Sequence, residues 1–193
     1  AAVLRGTQNF MLDLATENEQ DLKELLDFCT EVIITYGKAM IATGVHGLQY
    51  GDATASLISP EYYKKFALPY QEKSVEALAG NNCDLWLHIC GKTDHLLHLL
   101  RNLSIQGFEV DAKVEMTTAR KLLGDSMAIK GNLDTTFLLR ESEEAVYKAT
   151  RQIISRGNFK TGIIVSPGCG VPRMTPLNNL RAMVKACEDS SLE

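Results

Sequence analysis

The 193-residue chain has no run of about 18 apolar residues, so nothing in it reads as a membrane span. No secretory signal opens it. It has no Gly/Ser linker, low-complexity tract or short internal repeat, and the expected organisation is a single domain over 1–193. No lysine- or arginine-rich stripe is present and the net charge is −4, which argues against nucleic acid as a partner. Cysteine is scarce and odd in number, five at scattered spacings. A disulfide framework is therefore not expected; reduced thiols in a cytoplasmic protein fit better. No Gly-x-Gly-x-x-Gly follows an apolar run, which leaves a dinucleotide-binding unit without support. What is present is 45% hydrophobic residues, enough for one sizeable core.

Two short segments stand out against this background. His88-Ile89-Cys90-Gly91 follows the apolar run Leu85-Trp86-Leu87, and Gly168-Cys169-Gly170 follows Ile163-Ile164-Val165. Two cysteines and one histidine suit Zn²⁺, and three protein ligands leave a tetrahedral ion one open position. A structural zinc site is normally closed by four ligands in paired short spacings. Here the third residue lies far from the first two, and only a folded scaffold can join them. A lone cysteine is most often a small buried hydrophobe, which is the reading for Cys29 and Cys187, both in amphipathic stretches, and for Cys83. A competing local cluster would group His88 and Cys90 with His95 and His98. Those two histidines fall on the predicted helix 94–101, whose leucines claim the buried face.

The coarse pattern alternates strands and helices. Thr16-x-x-Glu19 has the form of a capping box and is expected to open a helix reaching about Ala42. Its apolar side is expected to hold Leu22, Leu25, Leu26, Cys29, Val32 and Ile33. A strand is expected at 48–52. Ser59-Pro60-Glu61 supplies an N-cap, a tolerated first-turn proline and a dipole-favoured acid, and Pro69 should divide the helix that follows. Further strands are expected at 84–88, 107–111, 127–131 and 161–166. Helices are expected at 94–101, 117–123 and 142–155, and after Thr175-Pro176. Five successive βα units require parallel strands joined by right-handed crossovers. An open doubly wound sheet and a (β/α)₈ barrel both satisfy that pattern. Asp52, His88, Cys90, Asp111, Asn132, Asp134 and Cys169 all fall at the C-terminal ends of the predicted strands, where barrel enzymes place their sites. The expected fold is therefore α/β: the C-terminal five βα units of a (β/α)₈ TIM-type barrel, incomplete because about three N-terminal strands are lacking. The opening Ala1 and closing Leu192-Glu193 fit a piece of a longer chain. Its unpaired first and last strands are expected to self-associate, or to be covered by the segment 1–14.

The chain resembles the C-terminal portion of the uroporphyrinogen decarboxylase superfamily over most of its length. The resemblance rests on Gly51-Asp52-Ala53-Thr54-Ala55-Ser56, on Ser59-Pro60-Glu61 with Pro69 downstream, and on His88-Ile89-Cys90-Gly91. It continues in Lys130-Gly131-Asn132-Leu133-Asp134, and in Pro167-Gly168-Cys169-Gly170-Val171-Pro172 leading to Thr175-Pro176-Leu177-Asn178-Asn179. The decarboxylase branch needs no metal and typically carries a histidine-containing loop where this chain has Gly168-Cys169-Gly170. The His-x-Cys and later Cys are similar instead to the cobamide-dependent branch, including the methylcobamide:coenzyme M methyltransferases. That resemblance implies zinc on His88, Cys90 and Cys169. It implies methyl transfer between a corrinoid (methylcobamide) protein and a small thiol such as coenzyme M.

The charges suit that reaction. Zn²⁺ with two thiolates and a neutral imidazole is formally neutral, so a substrate thiolate added to it stays electron-rich. The corrinoid, with cobalt as leaving group, carries the harder chemistry. Asp52 is a candidate catalytic and substrate-binding residue, as labile fourth ligand or substrate partner; a carboxylate tied to backbone at a strand end explains it equally well. Asn132 and Asp134 are candidate substrate-binding residues or structural polar groups. Metal-free uroporphyrinogen decarboxylation is the alternative function, and an inactive fragment missing part of its mouth is the non-enzymatic reading. Because Cys29 and Cys187 have a packing reason to exist, Cys29→Ala or Cys187→Ala should leave metal content unchanged at elemental analysis. Metal lost from either variant while it stays folded would show that the wrong thiols had been chosen.

Overall fold

Short apolar or alternating runs form strands, and the amphipathic stretches between them form helices, as the pattern predicts. The structure, a computed structural model, describes residues 1–16, 19–80, 82–157 and 162–190. Its strands are β1 Gly47–Asp52, β2 Asp84–Ile89, β3 Gly107–Glu109, β4 Ala128–Leu133 and β5 Ile163–Pro167. The helices are α1 Ala2–Arg5, α2 Thr7–Thr16, α3 Glu19–Ala42, α4 Pro60–Phe66 and α5 Leu68–Leu78. They continue with α6 Leu97–Leu100, α7 Met116–Leu123, α8 Thr135–Arg140, α9 Glu143–Gly157 and α10 Leu177–Ser190.

All five strands are parallel and neighbours follow chain order, β1-β2-β3-β4-β5. A doubly wound sheet reverses its order at a switch point. This sheet steps one way throughout, as successive strands of a barrel do. Register then sorts the side chains. Leu48, Leu85, Leu87, Ile89, Phe108 and Ile129 share one face and join Leu78, Leu97 and Leu123 from the helices in the main core. The opposite face carries Gln49, Trp86, His88, Glu109, Lys130 and Ile164. Among them Trp86 reaches over Gly107, where any Cβ would run into its ring.

Several local expectations hold and several need correction. Ser59 caps α4 by accepting from the Tyr62 N–H at 3.3 Å, Pro60 takes the first turn, and the break at Ala67 before Leu68-Pro69 separates α4 from α5. Thr16 does not cap α3: it is the last residue of α2, and its hydroxyl donates to the Leu12 carbonyl at 2.8 Å. Residues 17 and 18 of that motif, and Thr161 of the last predicted strand, lie outside the described residues. The buried face of α3 is Leu22, Thr30, Ile34 and Gly37, not Val32 and Ile33, which are exposed. Leu78 of α5 packs where Gly37 has no side chain, and that contact turns the helix. Helix 94–101 shrinks to the single turn α6. An unforeseen helix, α8, is capped by Asp134 accepting from the Phe137 N–H at 2.7 Å.

The N-terminal segment is helical. Phe10 and Leu14 pack with Leu22 and Phe66. Among the described residues no backbone hydrogen bond joins it to β1, so it does not extend the sheet. An apolar cavity of about 570 Å³ lies between α2, α3 and the free edge of β1.

At the opposite end of the strands Arg120 acts as a clasp. One terminal nitrogen donates to the Gly124 and Met127 carbonyls and the other to the Gly162 carbonyl, each at 2.8 Å, joining α7 to the starts of β4 and β5. Arg120→Met keeps the stem and removes all three of these hydrogen bonds, although the Gly162 carbonyl keeps the Ile129 N–H at 2.8 Å. A loss of about 1–3 kcal/mol is expected in urea unfolding.

Candidate metal centre

Strand alternation aims Leu87 and Ile89 at the helices and His88 and Cys90 at the opposite face. Glycines then set the positions of the loops. Gly91 has φ +92°, and a Cβ there would stand 2.8 Å from the Ser56 Oγ; its N–H donates to Asp111 Oδ2 at 2.8 Å. Gly168 donates to the Leu133 carbonyl at 2.8 Å and passes so near the β3–α7 loop that a Cβ would stand 2.5 Å from the Ala112 nitrogen. That close pass carries Cys169 to Cys90, and the two sulfurs are 3.7 Å apart.

The imidazole is oriented by one bond. His88 Nδ1 lies 3.0 Å from the Glu109 carbonyl, which can only accept, so Nδ1 carries the hydrogen. In the neutral ring the lone pair is then on Nε2, 3.1 Å from Cys90 Sγ. The three ligand atoms lie within 4.8 Å of one another. Tetrahedral zinc with Zn–S of about 2.3 Å and Zn–N of about 2.0–2.1 Å separates sulfurs by about 3.8 Å and nitrogen from sulfur by about 3.6 Å. The observed 3.7 Å and 3.1 Å fit such an ion with a small opening of the His88–Cys90 pair. Burial first, then the adjacent Cys169 thiol, push the Cys90 thiol up to about 11. A thiol so placed stays protonated at neutral pH unless a cation stabilises its anion.

The other predicted residues surround this point in different ways. Asp52 ends β1; its Oδ1 accepts from the Thr54 and Ala55 N–H groups at 3.1 and 2.9 Å, and Oδ2 takes a longer bond from Gln71 Nε2 at 3.4 Å. Asn132 Nδ2 donates to the Asp111 and Val114 carbonyls at 3.2 and 2.6 Å, holding the β3–α7 loop. Asp134 is the α8 cap, and Asp111 carries the Gly91 and Lys113 N–H groups. His95 is exposed, with Nε2 3.1 Å from the Ile58 carbonyl, and stands outside the group of three. Cys29 lines the apolar cavity; Cys90 and Cys169 do not.

The sequence reading missed Glu109, Lys130 and Gln49, which meet beside His88. Lys130 Nζ is 3.1 Å from Glu109 Oε1 and donates to Gln49 Oε1 at 2.7 Å, while Gln49 Nε2 donates to Glu109 Oε2. That same Oε2 is 3.5 Å from His88 Nδ1. The available signal was alternation: Glu109 and Lys130 hold matching inward positions of β3 and β4.

A family model described as uroporphyrinogen decarboxylase (URO-D) matches residues 1–190. The chain is 37% identical over 174 residues to the methylcobamide:CoM methyltransferase MtbA of Methanosarcina acetivorans, covering 89% of this chain and 50% of that one. It is 29% identical to a uroporphyrinogen decarboxylase of Chloroherpeton thalassium, over 96% of this chain and 54% of that one. Among solved structures, a methyltransferase from Methanosarcina mazei superposes with a TM-score of 0.86 at 25% identity, covering 96% of this chain and 54% of that one. The chain spans about half the length of the curated relatives it matches.

The Gly168 passage yields a test that needs no metal. Phenylarsine oxide bridges two adjacent thiols and should bind the wild-type pair. In Gly168→Ala the new methyl must push the loop off Ala112, and binding should weaken at least about tenfold while the fold persists. Equal binding would mean that this close approach does not set the sulfur separation.

Proposed function

This chain belongs to the uroporphyrinogen decarboxylase family, and on that premise we propose that its activity is zinc-dependent transfer of a methyl group between a corrinoid (methylcobamide) protein and a small thiol such as coenzyme M. The observation that carries the reading is the convergence of His88 Nε2, Cys90 Sγ and Cys169 Sγ within 4.8 Å at the C-terminal ends of β2 and β5. Support also comes from the greater identity to MtbA than to the decarboxylase. His88, Cys90 and Cys169 would hold zinc, with the fourth position left to the thiol. Zinc bound there supplies Lewis acidity that favours the thiolate of a substrate over its thiol.

The chain's own residues do the rest. Cys90 and Cys169 contribute two negative charges, which keep a substrate sulfur nucleophilic toward a methyl group. His88 adds no charge and is held in register by the Glu109 carbonyl. Asp52 is the proposed catalytic and substrate-binding carboxylate, because Oδ2 is its less engaged oxygen. Asn132 and Asp134 serve the substrate by shape, since both side chains are already committed to the loops beside it. The corrinoid protein is the expected macromolecular partner. No described helix is long and apolar enough to cross a membrane.

The experiment is zinc analysis of the purified chain and of two variants. About one zinc per chain is expected in the wild type, with at least about a tenfold weaker affinity in Cys90→Ser and in His88→Ala. A wild type that takes up no zinc would sink the proposal and leave metal-free decarboxylation as the reading to pursue.

A further inference from the structure

The polar ring below His88 is out of place for the interior face of a parallel barrel sheet, where bulky branched side chains usually fill the layers. Glu109 is 7% exposed, yet both of its carboxylate oxygens are engaged: Oε1 by Lys130, Oε2 by Gln49. Gln49 Oε1 closes the ring by accepting from Lys130. Lys130 is half-buried, its side chain 27% exposed, and Gln49 is exposed, and an ion pair so placed generally adds little to stability. Packing therefore gives no reason for it, whereas its position does. The ring joins β1, β3 and β4 and fixes Oε2 3.5 Å from His88 Nδ1, the hydrogen-bearing nitrogen.

We infer that Glu109 is the positioning residue of the metal centre, holding and polarising the His88 imidazole through Nδ1 so that Nε2 is a stronger ligand, with Lys130 and Gln49 fixing the carboxylate in place. The inference rests on the zinc reading given above. The Glu109 carbonyl sets which nitrogen carries the hydrogen, and the carboxylate adds negative charge on the far side of the ring from the ion. An acceptor behind a metal-bound histidine raises its basicity, and removing such a partner typically weakens metal affinity about 10–100-fold. Lys130 keeps the carboxylate from standing alone in a buried place, and Gln49 prevents Oε2 from turning away.

The test compares zinc affinity, by competition with a chromophoric chelator, in wild type, Glu109→Gln and the double variant Glu109→Gln/Lys130→Met. The double variant removes both charges, so no unpaired cation is left to disturb folding. Circular dichroism and urea unfolding establish the folded fraction. The expected result is zinc bound about 10–100-fold more weakly by both folded variants. With Co²⁺ in place of zinc, the d–d absorption bands should shift while the thiolate charge-transfer band persists. A purely structural ring would lower the unfolding midpoint and leave the affinity of the folded protein unchanged. Affinity within about threefold of wild type in either folded variant overturns the inference and leaves the zinc reading intact. A wild type that binds no zinc overturns both.

Discussion

Parallel pairing in unbroken chain order is the constraint on which the site depends. Because β1 through β5 all run one way, every strand delivers its last residue to the same rim. A residue just past β2 can then meet one just past β5, although 79 positions separate Cys90 from Cys169. No local spacing could do this. The pairing also lines up the inward residues of β2, β3 and β4 in adjacent rows, so a ligand on one strand has its orienting groups on the next. Interchanging two strands would scatter both sets at once.

Within that frame, the last adjustment is made by backbone rather than by side chains. The β5 loop closes on the β3 loop only where Gly168 presents hydrogen instead of carbon to Ala112, and the β2 loop turns where Gly91 takes a left-handed conformation beside Ser56. The glycines flanking the two cysteines are therefore part of the ligand geometry. Asp111 links the two loops from below, carrying the Gly91 N–H while Asn132 holds its own carbonyl. The carboxylates and amides around the sulfurs mainly hold loops, and the sulfurs and imidazole are left as the groups with unspent bonding capacity.

Much of this was legible in the chain itself. β2 and β5 announce themselves as short apolar runs and β1 and β4 as alternating ones, and Ser59-Pro60 and Pro69 mark the start and the division of a helix by properties local to those residues. The three sulfur and nitrogen ligands were legible because each sits at the end of such a run. The losses are of another kind. Thr16 had the letters of a cap, but the chain before it is itself helical and its hydroxyl turns back to Leu12. Asp134 was read toward a ligand, although Asp134-Thr135-Thr136-Phe137 was also a helix start. Val32 and Ile33 belong to the apolar side of α3 by periodicity, and only tertiary contact at Gly37 shows that another face is buried. Glu109 is a single acid in a three-residue strand, and its meaning comes from Lys130 and Gln49, which no spacing rule connects to it.

Trp86 bears on traffic through the site. Two residues before His88 on the same face of β2, its ring lies across Gly107 and closes the sheet surface beneath the imidazole. The sulfurs lie on the other side of the imidazole from that ring, toward the rim at the strand ends. On the proposed function, a small thiol and a protein-borne methyl carrier would meet at this rim. One indole thus stands between the sulfur-bearing end of β2 and its start, on the face that carries the imidazole.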